Sequence, residues 1–361
     1  MRKQTIVIAL ALFLVGAFTA VSADEAVLID FSLLKADILA DSVNQGKFLE
    51  NRSTMMDFSG TAGASYTDEQ KKQMRTSLAI RNWDILLASS SRSNLNQSLS
   101  LTAEATLDAN AKQFAGKTVM GFRVHFPVAE FNSWAKVAPP FEIPAFEPKA
   151  TVDDQGVITP AKDQGTDPAN ARLSRFEGSY DANTKITTAL GIVKNVGVIK
   201  SVAVTVKGLN FPHGLSVVLK DSDGNDQIIF LGYLNFDGWK ELRWDNPAYV
   251  QDVRNRELRL FPLYPKTTPM VKFDGFVITR DAAHDGGDFV AYVKDVKILY
   301  DKAVLEPVRD IDDEALWGIV GKKEADRKNI ESKRFGSQQV LRYLEKMKQE
   351  SKTDFTPPAA K

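Results

Sequence analysis

The chain has 361 residues, with 46 Lys plus Arg set against 46 Asp plus Glu, and it contains no cysteine. The even charge balance leaves no electrostatic footprint for nucleic acid, and the missing thiols exclude disulfides, cysteine nucleophiles and cysteine metal ligands. Stability has to come from packing, from assembly with other subunits, or from both.

The first 23 residues combine basic Arg2 and Lys3, an apolar run from Ile6 to Val15 and the small-residue site Val21-Ser22-Ala23. This is the pattern of a cleavable secretory signal, cut between Ala23 and Asp24. A transmembrane anchor is the competing reading, but the apolar core is short for a bilayer span and its flank ends in a peptidase-type site. No later stretch is long and apolar enough to insert in a membrane, and no Cys precedes Asp24 to carry a lipid. The mature chain is therefore expected to be soluble, with a net charge of about −2 once Arg2 and Lys3 are removed.

From Val27 to Asp301 the dominant signal is period-two alternation, which a half-buried strand needs because successive side chains point to opposite faces. Trp83, Ile85 and Leu87 share one face, as do Phe122, Val124 and Phe126, with Arg123 and His125 directed the other way. Val202, Val204 and Val206 form a third set. Val290, Tyr292, Val296, Ile298 and Tyr300 form a fourth. Further strands are expected at VLIDF, LSVVLK, QIIFLGYLNF and VKFDGFVITR, separated by the turn signals Asp223-Gly224, Asp237-Gly238 and Asp285-Gly286. Helical periodicity is nearly missing from this region, so a parallel sheet with crossover helices has no support, and an antiparallel β-sandwich follows. The expected organisation is a signal at 1–23, a sandwich at 24–305 with loop insertions near 49–70 and 127–174, and a charged segment at 306–361. That last segment holds an amphipathic helix near 337–350, with Val340, Leu344 and Met347 on one stripe, and a disordered tail. The long insertions are either partner-contacting loops or tolerated surface elaborations. The helix either folds back on the sandwich or docks on a neighbour.

Chemistry-bearing motifs are few. His125, His213 and His284 stand apart in sequence, and there is no HExxH, GxSxG elbow, GxGxxG unit or P-loop. Asp221, Asp223 and Asn225 begin like a calcium loop, but position twelve is Gly232, so a hairpin turn is the better reading. No cofactor is expected. Tyr233, Trp239 and Trp244 surround the charged strand FDGWKELRW; exposed, they could stack on sugar rings, and buried, they fill the core. Two sequons, at Asn51 and Asn96, occur readily by chance.

Four blocks together, NWDILLASSSRS from residue 82, GFRVHFPVAEFNSWAKVAPPFEIPAF from Gly121, FDGWKELRWDNP, and FDGFVITRD followed by YVKDVKILYDKAV, resemble the FlaA-type outer-layer (sheath) proteins of spirochaetal periplasmic flagella. The resemblance extends from the export signal to about Tyr300. It implies a non-enzymatic subunit with a jelly-roll-like sandwich that coats the flagellin core in the periplasm and affects filament shape, stiffness and motility. Flagellin core subunits and other sheath subunits would be its partners. On this reading the Pro-stiffened segment with Trp134, Pro139, Pro140, Phe141 and Pro144 is an assembly contact, and deletion of Ala135 to Phe146 should reduce incorporation while leaving the fold intact. The alternative is a periplasmic carbohydrate-binding module that holds glycan through Tyr233, Trp239 or Trp244.

Overall fold

The alternating apolar sets fold into strands whose inner faces meet across one core. The computed structural model describes residues 24–34, 54–58, 67–68, 71, 74–145, 150–152, 158–160, 174–258, 269–303, 311 and 316–334. The expected signal with Ala23, Asn51, most of the 49–70 stretch, the 337–350 helix and the tail lie outside the described residues. Asp24, the residue after the expected cleavage point, opens the first strand.

In chain order the strands are β1 (Asp24–Asp30), β2 (Met56–Asp57), β3 (Arg75–Thr76), β4 (Asp84–Leu87), β5 (Leu101–Thr106), β6 (Thr118–Phe126), β7 (Ser133–Ala138), β8 (Ala150–Val152) and β9 (Ile158–Pro160). There follow β10 (Ser179–Asp181), β11 (Ile186–Thr188), β12 (Ile192–Lys194), β13 (Val196–Leu209), β14 (Gly214–Lys220), β15 (Asp226–Tyr233), β16 (Asp237–Asp245), β17 (Met270–Arg280) and β18 (Gly287–Lys302). Helices α1 (Asn94–Leu99), α2 (Tyr249–Leu258) and α3 (Ile319–Arg334) accompany them. One sheet runs β10-β11-β1-β18-β13-β16, with β6 joining β18 and β5 joining β6. The other runs β15-β14-β17-β7-β4, with β12 on β17. Neighbours in both sheets are antiparallel except β1 and β11, which are parallel. The chain is mainly β, a jelly-roll-like antiparallel sandwich with long insertions and a helix toward its C-terminal end.

Aromatic residues fasten the two sheets together. Phe122 on β6 stacks on Phe276 of β17 at 6.5 Å and meets Phe289 of β18 at 6.0 Å. Phe31, just after β1, lies 5.4 Å from Trp83 and 6.0 Å from Phe276. Offset and edge contacts of this kind add to the area that each ring removes from water. The indole of Trp83 donates to Leu78 O at 2.8 Å, so its polar edge is also satisfied.

Three expectations need correction. On β18 the core-facing set is Phe289, Ala291 and Val293 and then Val296, Ile298 and Tyr300; Val290 and Tyr292 turn the other way. The cause is a bulge: Thr205 pairs with Asp295 but Val206 with Val293, so Lys294 is extra and the parity flips. The 127–174 stretch is not one loop, because β7 runs through it between β17 and β4, and β8 pairs with β9 farther on. Within the charged segment, Ile319–Arg334 is helical as α3, which carries no apolar stripe and docks through polar contacts. Lys323 Nζ reaches Asp223 at 3.4 Å, Arg327 donates to Ser222 O at 3.4 Å, and the backbone N–H of Glu142 donates to Glu331 Oε2 at 3.1 Å.

Candidate functional site

The segment expected to bind a partner is largely core. Phe141 is fully buried between Phe58 at 6.1 Å and Phe176 at 5.8 Å, and Pro139 and Pro140 are buried beside it. Pro144 is half-buried, and its carbonyl accepts a 2.6 Å bond from the Ser174 hydroxyl. The alternation of β7 sends Ala135 and Val137 inward and Trp134 outward, leaving Trp134 46% exposed. Removing Ala135 to Phe146 would thus take out most of a central strand and eight buried side chains, which corrects the expectation that the fold survives that deletion.

The aromatic trio of the glycan reading is not assembled into one platform. Trp244 and Leu242 pair with Val202 and Val204, so they face inward. Trp244 lines an open cleft of about 520 Å³ with Ile199, Ile229, Met270, Asn246 and Arg256. Trp239 pairs with Lys207 on the opposite face of β16 and meets Phe114 edge to face at 5.1 Å. Tyr233 belongs to the other sheet and is 56% exposed. Strand parity explains the separation, since positions 239 and 244 differ by an odd number of residues.

The remaining sequence candidates resolve locally. Asp221 Oδ1 accepts the backbone N–H of Asp223 and of Asn225, both at 2.9 Å, and Gly224 takes φ +88°; the carboxylate that would begin a calcium loop folds its own turn. Asn96 is buried in α1, where its amide donates to Ser91 O at 2.8 Å, so that sequon is not presented at the surface. Arg123 and His125 converge on Asp288 across the β6/β18 ladder, with Arg123 bidentate at 2.9 and 2.7 Å and His125 Nδ1 at 2.6 Å. Hydrogen bonds from Arg123 and His125 hold the Asp288 carboxyl below its ordinary value.

Two features escape sequence reasoning. The first is an ionic cluster on the outer face of the β14/β17/β7 region, around a cleft of about 200 Å³. Lys272, nearly buried, donates to Glu142 at 3.2 Å, Lys220 lies 3.5 Å from Glu142 and 3.8 Å from Asp274, and Lys136 bonds Asp274 at 2.5 Å. Burial alone would raise the Glu142 carboxyl, but Lys272 and Lys220 outweigh it and hold the group below its usual value. Burial likewise opposes the Lys220 ammonium, and Asp274, Glu142 and Asp226 reverse that, so its pKa is raised. The second feature is His213, buried among Phe126, Phe211 and Phe289 at 5.2, 6.0 and 4.6 Å. Neither of its ring nitrogens has a hydrogen-bond partner among the described residues. Burial, followed by the neighbouring His284 and Arg280, lowers its pKa to about 4.

Comparison with known proteins places this geometry in context. The family model described as flagellar filament outer layer protein FlaA matches residues 47–309. The flagellar filament outer layer protein of Treponema pallidum (strain Nichols) is 50% identical over 358 residues, covering 99% of this chain and 97% of its own. That of Spirochaeta aurantia is 42% identical over 361 residues, covering 99% and 96%. Among solved structures, TmCBM61 in complex with β-1,4-galactotriose aligns at 12% identity with a TM-score of 0.24, over 61% of this chain and 88% of that one. At that level the alignment carries no inference. The family match over most of the chain and the near full-length relatives agree, and the chain belongs to the FlaA family of flagellar filament outer layer proteins.

Proposed function

We propose that the chain is a structural, non-catalytic subunit of the outer layer of a periplasmic flagellar filament. Exported through its N-terminal signal and cut after Ala23, it coats the flagellin core, touches other sheath subunits, and modulates filament shape, stiffness and motility. The observation that carries the reading is the 50% identity, over 99% of the chain, to the Treponema pallidum outer layer protein. The sandwich supports it as a rigid brick, with a cross-sheet aromatic core and no dependence on disulfides. Within the segment expected to touch partners, the 46% exposure of Trp134 supports that side chain as a contact. Immunogold labelling of purified periplasmic filaments tests the proposal: labelled filament surfaces are expected, and bare ones refute it.

The carbohydrate-binding alternative retains one observation in its favour, the exposed Tyr233 ring set edge to face against Phe230 at 5.3 Å. Binding on a glycan array that Tyr233→Ala abolishes would support it. A blank array removes it.

A further inference from the structure

A sheet edge offers unpaired N–H and C=O groups to any strand that can reach them, and proteins usually blunt such edges. Among the described residues, nearly all of the outer strands are blunted. β10 and β12 are three residues long. β16 alternates charge along Lys240, Glu241, Arg243 and Asp245. On β4 the Ile85 carbonyl is taken by the Gln97 amide at 2.7 Å. On β5 the Thr102 hydroxyl donates to Ile80 O at 2.7 Å, which ties the 3-10 turn Ile80–Asn82 against that strand.

β15 lacks these protections. It is eight residues long, sits at the end of its sheet with β14 as its ladder partner, and carries no charge from Gln227 to Tyr233. Ile229 and Leu231 face the core, while Ile228, Phe230 and Tyr233 are 65%, 48% and 56% exposed. The exposed rings are held in place: Phe230 lies over Gly214, where an added Cβ would come within 2.9 Å of the ring. Ile228 and Phe230 together with the free backbone edge form an apolar stripe that nothing else in the described structure covers.

We propose that this edge is a self-association surface, at which β15 of one copy pairs antiparallel with β15 of a second copy. The occupant follows from the chain's own edges. An open edge needs an open edge, and among the described strands β15 is the one that a second copy leaves unblunted. The register is self-complementary. A shift in pairing between Leu215 and Ser216 puts Leu231 out of the ladder, so the regular stretch is Asp226 to Phe230. Two-fold pairing of that stretch sets Ile228 against Ile228 and Asp226 against Phe230, which keeps the two carboxylates at opposite ends. The six-stranded sheet would continue across the dimer axis. A ladder this short buries little surface, which places the dimer among weak, transient interfaces. The inference rests on the outer-layer reading for its use, because copies held side by side on a filament need only weak contacts.

Sedimentation equilibrium of the signal-free chain up to ~1 mM tests the proposal, with a concentration-dependent dimer expected. Ile228→Lys should weaken it at least about tenfold with an unchanged melting curve, since the side chain is exposed, whereas Leu101→Lys on blunted β5 should leave it intact. Because the protein is cysteine-free, Ile228→Cys adds a second measurement: oxidation should yield a disulfide-linked dimer, and Leu101→Cys should not. A chain that stays monomeric at ~1 mM overturns the inference, as does a dimer indifferent to Ile228→Lys. A monomer whose binding to flagellin filaments depends on Ile228 also overturns it, by assigning the edge to flagellin. Dimers with unlabelled filaments would sink the outer-layer proposal and leave the edge standing. Labelled filaments without dimers would do the reverse.

Discussion

His213 makes the fold sensitive to mild acid. Its ring is 4% exposed, packed by three phenylalanines, with no hydrogen-bond partner for either nitrogen among the described residues, and its pKa falls to about 4. In the unfolded chain the imidazole titrates at its ordinary value of 6.5. The folded value lies below the unfolded one, so the unfolded state binds the proton first. Stability is therefore complete above pH ~6.5, declines as pH falls toward ~4, and loses nothing further from this group below that. Linkage over the interval from pH 7 to pH 5 gives a loss of about 2 kcal/mol, within a limit of about 3 kcal/mol for the full shift. The carboxylates act in a separate window. Glu142 and Asp288 have folded pKa values below their ordinary values of 4.5 and 3.8, so their contribution is lost at still lower pH. Urea unfolding at pH 7 and pH 5, for the wild type and for His213→Leu, isolates the term. Whatever the variant's starting stability, its free energy should change by about 2 kcal/mol less than wild type over the interval. An identical pH dependence in the two proteins would refute the assignment.

Other consequences of the structure can be checked by the same unfolding assays. Phe276, fully buried where β6, β17 and the residue after β1 meet, should cost about 3–5 kcal/mol on change to Ala. Gly275 takes φ +125° at a β17 bulge, where an added Cβ would run into the Val137 carbonyl of β7; Gly275→Ala should cost on the order of 3 kcal/mol, and a neutral result would show that the bulge is not required. Glu142→Ala strands the nearly buried Lys272 ammonium and should cost about 3 kcal/mol, most of it recovered in the double variant with Lys272→Met. If the double variant is as unstable as the single, the penalty does not come from the unpaired charge. Trp134→Ser should leave the melting temperature within about 1 °C and reduce incorporation into filaments; normal incorporation would remove Trp134 from the contact surface.

Where a stretch of strand keeps its period, its inner face could be read directly from the sequence. Trp83, Ile85 and Leu87, the 122/124/126 set and the valines of β13 all point inward as the alternation requires. The reading failed where the backbone changes phase, because a bulge adds a residue without any composition signal of its own. Lys294 gives no sign in sequence that it stands outside the ladder, yet it reverses every assignment before it on β18. Prolines misled in a related way: Pro139 and Pro140 read as the stiffening of an exposed loop, whereas they end β7 and direct Phe141 into the core. Helix α3 was missed because a helix that docks through Lys323, Arg327 and Glu331 shows charge where amphipathic reasoning looks for an apolar stripe.

The candidate surface was hidden for a different reason, and that reason bears on how the protein would assemble. QIIFLGY reads as a buried strand because almost every residue in it is apolar, and an interior strand with both faces covered has that composition. Only the pairing order puts β15 at the end of its sheet and turns half of those side chains outward. An edge strand that kept this composition without a function would be an aggregation hazard for a protein concentrated on a filament. The charge on β16, the Gln97 cap on β4 and the short β10 show that the fold elsewhere uses the ordinary means of avoiding that hazard. Apolar character confined to one of the described edges, with the other described edges blunted, is what selective pairing requires: one contact permitted and the rest refused. If Ile228→Lys left self-association and filament incorporation both unchanged, that selectivity would have to lie in another surface.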